Sequence, residues 1–261
     1  MQILINEVKN WLYEAGARIK DSFEEDALVV DTKTDRTDLV TNMDRWTQDF
    51  LIEKIQTFDP MAKILGEENG QNTIQNLTGR VFIIDPIDGT MNFVLEQENF
   101  CIMLGIYDDG QPTLGFVYDV TRNRLLWGGP SVGVFCNQER VNPPTDKKLS
   151  EGLLGLNSGM YGKNYLNTQA MGKIALGVRM TGCAGVELSA LILGKRIGYL
   201  TRLAPWDYAA AGVLLTTLGL KMSTVTGEPL NFKERELFLA GTPAAYEEMR
   251  NLIEKDKNIV N

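Results

Sequence analysis

The chain has 261 residues, 44% apolar and 23% charged, the proportions of a globular protein with room for a large core. Its net charge of −8, from 34 acids against 26 bases, argues against a nucleic-acid or anionic-membrane surface. It contains no histidine, which removes Ser-His-Asp and Cys-His catalysis and His-containing zinc sites and leaves hydrolysis to carboxylates, hydroxyls, lysines or a metal. Cys101, Cys136 and Cys183 are odd in number and far apart, which suits a reducing compartment better than a disulfide framework. No stretch approaches the ~20 apolar residues of a membrane span, and the N-terminus lacks a signal-peptide layout. The expectation is a cytoplasmic protein without membrane or nucleic-acid partners.

In chain order, Leu4, Val8, Trp11, Leu12, Ala15, Ile19 and Phe23 recur at helical spacing and predict an amphipathic N-terminal helix. Trp46, Phe50, Leu51, Ile55 and Phe58 predict a second, closed by Asp59-Pro60. Trp11, Trp46 and Met222 are read as core positions. Val81 to Ile84 is a short β-branched and aromatic run, expected to be a buried strand. From Cys101 to Cys136 short apolar runs are separated by Asp108-Asp109-Gly110, Thr121-Arg122-Asn123 and Gly128-Gly129-Pro130, the pattern of an antiparallel meander. Asn142-Pro143-Pro144-Thr145-Asp146 is the best candidate boundary. Beyond it strands and helices alternate, with a strand at Leu153 to Leu156 and helices near Thr168 to Leu176, Val186 to Leu193 and Trp206 to Leu218. A strand at Leu237 to Ala240 and a helix over Ala244 to Glu254 close the chain.

The most informative segment is Val81 to Phe93. A buried strand delivers Asp85 at its end and Asp88 three residues later, an acidic pocket that is unfavourable unless a cation occupies it. Pro86 keeps Asp85 out of a helix, and the Ile87 carbonyl is a third oxygen between the two acids. Gly89 permits a sharp turn, and Thr90 adds a hydroxyl where free helix-start amides attract an anion. Hard oxygen ligands favour Mg²⁺. Asp-Gly is also an ordinary turn signal, so further acids are needed. They occur at Gly66-Glu67-Glu68, at Pro205-Trp206-Asp207, and at Asp38 and Asp44 flanking Leu39-Val40-Thr41. Singly, each of these is better explained as a helix cap or a solvated charge than as a ligand.

Together these motifs resemble the inositol monophosphatase family, in the larger group that includes fructose-1,6-bisphosphatase and the nucleotide 3'-phosphatases. Smaller echoes lie at Gly133-Val134-Phe135-Cys136-Asn137 and Gly182-Cys183-Ala184-Gly185, and the matches run in order from about residue 33 to 212. The resemblance implies an α/β (α+β) fold, a five-layered α-β-α-β-α sandwich, over one domain at 1–261 with halves at 1–142 and 143–261. It implies a phosphomonoester hydrolase with two or three Mg²⁺ ions, Li⁺ sensitivity and a homodimer. By the same resemblance Glu67, Asp85 and the Ile87 carbonyl hold the activating ion, and Asp85, Asp88 and Asp207 hold the second. A third ion lies near Glu67. Thr90 with Asp44 orients and deprotonates water, and Lys33 and Asp38 support the site. Asp88, Gly89, Thr90, Cys183, Ala184, Arg202 and Asp207 are expected to face a small phosphorylated metabolite. Counting back seven residues from Asp207 places Leu200 where inositol-specific members carry an acid, while Arg202 either reaches a second phosphate or is a solvated surface arginine before a helix. The alternatives are a fructose-1,6-bisphosphatase, NADP phosphatase or 3'-phosphoadenosine phosphatase, a non-catalytic metal- or phosphate-binding relative, and a carboxylate-pair glycosidase.

Overall fold

The structure is a computed structural model that describes residues 1–24, 28–32, 39–68, 73–74 and 76–256. Two helices open the chain, α1 (Gln2–Glu24) and α2 (Asn42–Phe58), with a small antiparallel pair, β1 (Val30–Thr32) and β2 (Leu39–Thr41), between them. Both helices follow the apolar spacing of the sequence. Thr41 caps α2 by accepting from the Met43 and Asp44 amides, and Asp44 returns the interaction by accepting from the Thr41 amide.

A seven-stranded sheet follows in sequential order: β3 (Lys63–Gly66), β4 (Arg80–Asp88), β5 (Cys101–Asp108), β6 (Gln111–Asp119), β7 (Arg124–Gly129), β8 (Gly133–Cys136) and β9 (Glu139–Val141). Only β3 runs parallel to its neighbour; the remainder is the meander expected from the turn signals. A short helix α3 (Thr90–Leu95) follows β4. After the proline-containing connection come β10 (Leu153–Leu156), α4 (Ser158–Gly162), α5 (Thr168–Ile174), β11 (Gly177–Arg179), α6 (Ala184–Ile192), β12 (Gly198–Leu203), α7 (Pro205–Thr217), β13 (Lys221–Thr224), β14 (Glu236–Gly241) and α8 (Pro243–Glu254). The five strands pair in the order β11-β10-β12-β14-β13, mixed parallel and antiparallel.

Three apolar layers define the sandwich. Leu12 and Ile19 of α1 and Leu51 and Ile55 of α2 pack on Phe82, Ile102 and Phe116 of one sheet face. On the other face Met103, Val117 and Leu126 meet Leu188 of α6 and Tyr208 and Leu214 of α7, which also touch Tyr199 and Phe238 of the five-stranded sheet. The far side of that sheet buries Leu154, Leu200 and Leu239 against Ala245, Met249 and Ile253 of α8. The order is helices, sheet, helices, sheet, helices. Trp11 is core, but Trp46 is 36% exposed and stacked on Phe50, because the solvent-facing side of α2 carries it outward. Met222 is half-buried against the middle layer.

Candidate active site

Strand β4 does more than end at Asp85. It continues to Asp88 with a register shift: Asp85 pairs with Met103 and Asp88 with Cys101, so Pro86 and Ile87 on β4 oppose the single Ile102 on β5. Residues three apart on a regular strand face opposite sides. The extra residue at this bulge cancels the mismatch and turns both carboxylates to the same face, toward α6 and α7. Ile87 stays buried on the opposite face. Gly89 then takes φ +90°, a left-handed turn, and a Cβ there would lie 3.0 Å from the Cys183 Cβ and 3.1 Å from the Asn99 carbonyl. Thr90 starts α3.

A cleft of about 650 Å³ opens over this turn. Glu67, Asp85, Ile87, Asp88, Gly89, Thr90, Ala184, Arg202 and Asp207 line it. Cys183 lies just beneath, buried. Asp44 reaches it indirectly: the Thr90 hydroxyl is 3.1 Å from Asp44 Oδ1 and 3.0 Å from the Ile87 carbonyl, so its single proton goes to one or the other. Of the residues read from the sequence, Lys33 and Asp38 lie outside the described residues.

Asp85 is the centre of charge. It is 1% exposed, and its Oδ1 has no hydrogen-bond partner. Burial, followed by the neighbouring charges of Glu67, Asp88, Asp207 and Asp44, pushes its carboxyl well above the ordinary range. Asp207 is raised to about 7 by burial and then by Glu67, while Arg235, 3.6 Å away, opposes the shift. Asp44 is raised to about 6, burial outweighing its hydrogen bonds from Thr41. Asp88 is also raised by burial, against the opposing effect of its donors. Those donors are the Gly185 amide, the Ala184 amide at 3.2 Å and the Cys183 thiol at 3.0 Å.

The acids therefore converge electrostatically. Among the described residues, no three of them already form a closed ligand cage. The hydrogen bonds explain why: Asp88 is turned to the start of α6, and Asp207 Oδ2 accepts from the Ala204 amide at 2.8 Å. The donor set of carboxylates and a carbonyl, around one buried unpartnered carboxylate oxygen, fits a hard divalent cation such as Mg²⁺.

A sequence profile of the inositol monophosphatase family matches residues 2–258. The chain belongs to the inositol monophosphatase family. It is 41% identical over 243 residues to an inositol-1-monophosphatase of Bacillus subtilis strain 168, covering 91% of each chain. A Thermotoga maritima fructose-1,6-bisphosphatase/inositol-1-monophosphatase is 32% identical over 216 residues, covering 81% of this chain and 82% of that one. Its fold superimposes with a TM-score of 0.91 on an IMPase/NADP phosphatase solved with Mg²⁺ and phosphate, at 27% identity over 98% of this chain and 97% of that one. Membership makes the protein a phosphomonoester hydrolase. Among the described residues, no helix is long and apolar enough to cross a membrane.

Four features escaped sequence reasoning. Leu200 does not face the cleft; it is fully buried against α8, and Tyr199, Thr201 and Leu203 line the wall in its place. Counting back from Asp207 ignored strand alternation, which turns Tyr199, Thr201 and Leu203 of β12 to the cleft side and Leu200 away from it, while the exposed Arg202 near the strand end also borders the cleft. Gln48, fully buried on α2, donates to the Glu68 carbonyl and accepts from the Glu68 amide at 2.8 Å, clamping the loop that carries Glu67. Its position four residues after Asp44, on the same helical face, was a usable signal. Glu187 is 1% exposed on the cleft wall, accepting from Arg196 at 2.8 Å and from the Thr181 amide. Arg235 has no sequence signal at all.

Proposed function

We propose that this protein is a Mg²⁺-dependent phosphatase of small phosphorylated metabolites, and that the acids around Asp85 are its metal-binding centre. The observation that carries this reading is the buried, unpartnered Asp85 oxygen facing a cleft bordered by Gly89 and Thr90. Glu67, Asp85 and the Ile87 carbonyl would hold one ion and Asp85, Asp88 and Asp207 a second, and Glu67 would border a third. When bound, the ions lower the pKa of water and neutralise phosphate charge.

The rest of the chemistry falls to the chain. Thr90, its proton directed to Asp44, presents an oxygen lone pair that accepts the hydrogen bond of the attacking water and relays its proton. Asp44 is fixed for this by Thr41, which donates from both its amide and its hydroxyl. The Gly89 and Thr90 amides are the phosphate donors. Cys183 and Ala184 hold Asp88 and form the substrate-side floor. Lys33 and Asp38 retain their supporting role in this reading. A homodimer, a cytoplasmic location and inhibition by Li⁺ complete it.

Inositol 1-phosphate is the first substrate to assay, because it is what the Bacillus relative is named for. Asp85→Asn is the sharpest test of the site: the shape is kept and the charge removed. Hydrolysis of inositol 1-phosphate in Mg²⁺ should fall by about two orders of magnitude or more, while the circular dichroism stays native. Full activity in that variant, or turnover that survives EDTA, would reject the proposed centre.

A further inference from the structure

A short connection, residues 180–183, joins β11 to α6 and leads into the grip on Asp88. The Cys183 thiol and the Ala184 and Gly185 amides all donate to that carboxylate. Its direction is therefore only as fixed as the start of α6.

The connection is fastened at one residue, Thr181. Its carbonyl accepts from Asn92 Nδ2 at 2.7 Å, and its amide donates to Glu187 Oε1 at 3.2 Å. Asn92 stands on α3, two residues after Thr90; Glu187 stands in the first turn of α6 and reaches back past the helix start. Two elements thus hold one stretch of backbone, one from each side. Just after it Gly182 turns at φ +73°, where a Cβ would come within 3.3 Å of Asn92 Oδ1.

Both side chains are committed to the protein. Asn92 is buried and donates also to the Asn99 carbonyl at 3.0 Å. The other oxygen of Glu187 accepts from Arg196 Nε at 2.8 Å, and a Cβ on Gly155 would crowd it at 2.8 Å. Glu187 borders the same cleft as Asp85, yet each of its oxygens has a donor, whereas Asp85 Oδ1 has none. A carboxylate saturated in this way fixes geometry and has little left to offer a cation.

We propose that Asn92 and Glu187 are positioning residues for the hydrolysis: by fixing the Thr181 backbone from α3 and α6 together, they set the start of α6 and so the aim of Asp88 at the metal centre. This rests on the phosphatase reading, in which Asp88 is a ligand. They act through Asp88 and supply no ligand of their own.

Calorimetric titration with Mg²⁺, alongside Mg²⁺-dependent hydrolysis of inositol 1-phosphate, tests this on Asn92→Ala, Glu187→Ala and the double variant. Each single change should weaken Mg²⁺ binding by about tenfold, the scale of an outer-shell partner. The double variant should bind no more weakly than the worse single one, because either change frees the same backbone. Gln48→Leu, which loosens Glu67 instead, should add its full effect to that of Asn92→Ala. Single effects that multiply in the double variant would overturn the shared clamp. So would a native Mg²⁺ affinity in variants whose melting temperature alone falls. A native protein without Mg²⁺-dependent hydrolysis would instead bring down the phosphatase reading; native hydrolysis with unaltered variants would bring down the clamp alone. Should Glu187→Ala fail to fold with Arg196 left unpaired, Glu187→Leu combined with Arg196→Met removes the whole ion pair and gives the same comparison.

Discussion

Asp85 and Gln48 illustrate two opposite ways of burying a polar group. Gln48 is fully satisfied, its amide matching both backbone groups of Glu68, while Asp85 leaves an oxygen without a partner. The first kind of burial adds order, and the second stores a cost that a ligand relieves. Replacing Gln48 with leucine would strand the Glu68 amide and carbonyl, so urea unfolding should show a loss of about 1–3 kcal/mol. The same variant should need more Mg²⁺ for half-maximal activity, because the loop carrying Glu67 would no longer be held. Asp85→Asn should do the reverse to stability: in EDTA its melting temperature should exceed that of the native protein, since burial and four neighbouring acids all oppose the native charge.

At the scale of elements, the site depends on close approach as much as on charge. Helix α7 carries Asp207 in its first turn and lies directly on β5 and β6, where Gly105 and Gly115 leave room for the backbone of Ala209 and Ala210. A Cβ on Gly115 would collide with the Ala210 carbonyl oxygen. Gly115→Ala should therefore cost about 1–3 kcal/mol in chemical denaturation and, by lifting α7 off the sheet, weaken phosphate-ester turnover. The bulge in β4 has the same standing. It was written in the sequence only as Pro86 and Gly89, and its consequence, two acids on one face, appears only with the register against β5. Strand β12 teaches the converse. Position along the chain placed Leu200 where inositol-specific members carry an acid, and alternation sends it to the core instead.

For the whole molecule, the raised carboxyls make stability depend on pH and on metal together. Asp44 titrates near 3.8 when unfolded and about 6 when folded, and Asp207 moves from 3.8 to about 7. The folded state thus binds more protons across this window, and stability is lost as pH rises through it. In EDTA the melting temperature should be higher at about pH 5.5 than at about pH 7.5, and calorimetry or thermal scanning reads the difference directly. Adding Mg²⁺ at about 100 times its Kd should restore about 2.7 kcal/mol at the higher pH. A melting temperature that rises with pH in EDTA would contradict the assignment of the acids.

Local patterns determined the long amphipathic helices, the meander, the proline-rich connection and the acids of Asp85 to Asp88, because helical period, turn chemistry and charge are properties of neighbouring residues. Trp46 escaped the helical pattern because exposure on α2 depends on what covers that face, and nothing nearby in sequence says so. The tertiary structure alone decided that Glu67, Asp85, Asp88 and Asp207 share one cleft, that Gln48 braces its edge, and that Arg202 and Arg235 border it. Those meetings join residues up to 140 positions apart in number, as from Glu67 to Asp207, through sheet register and helix packing. A chain specifies such contacts only by burying its apolar faces all at once.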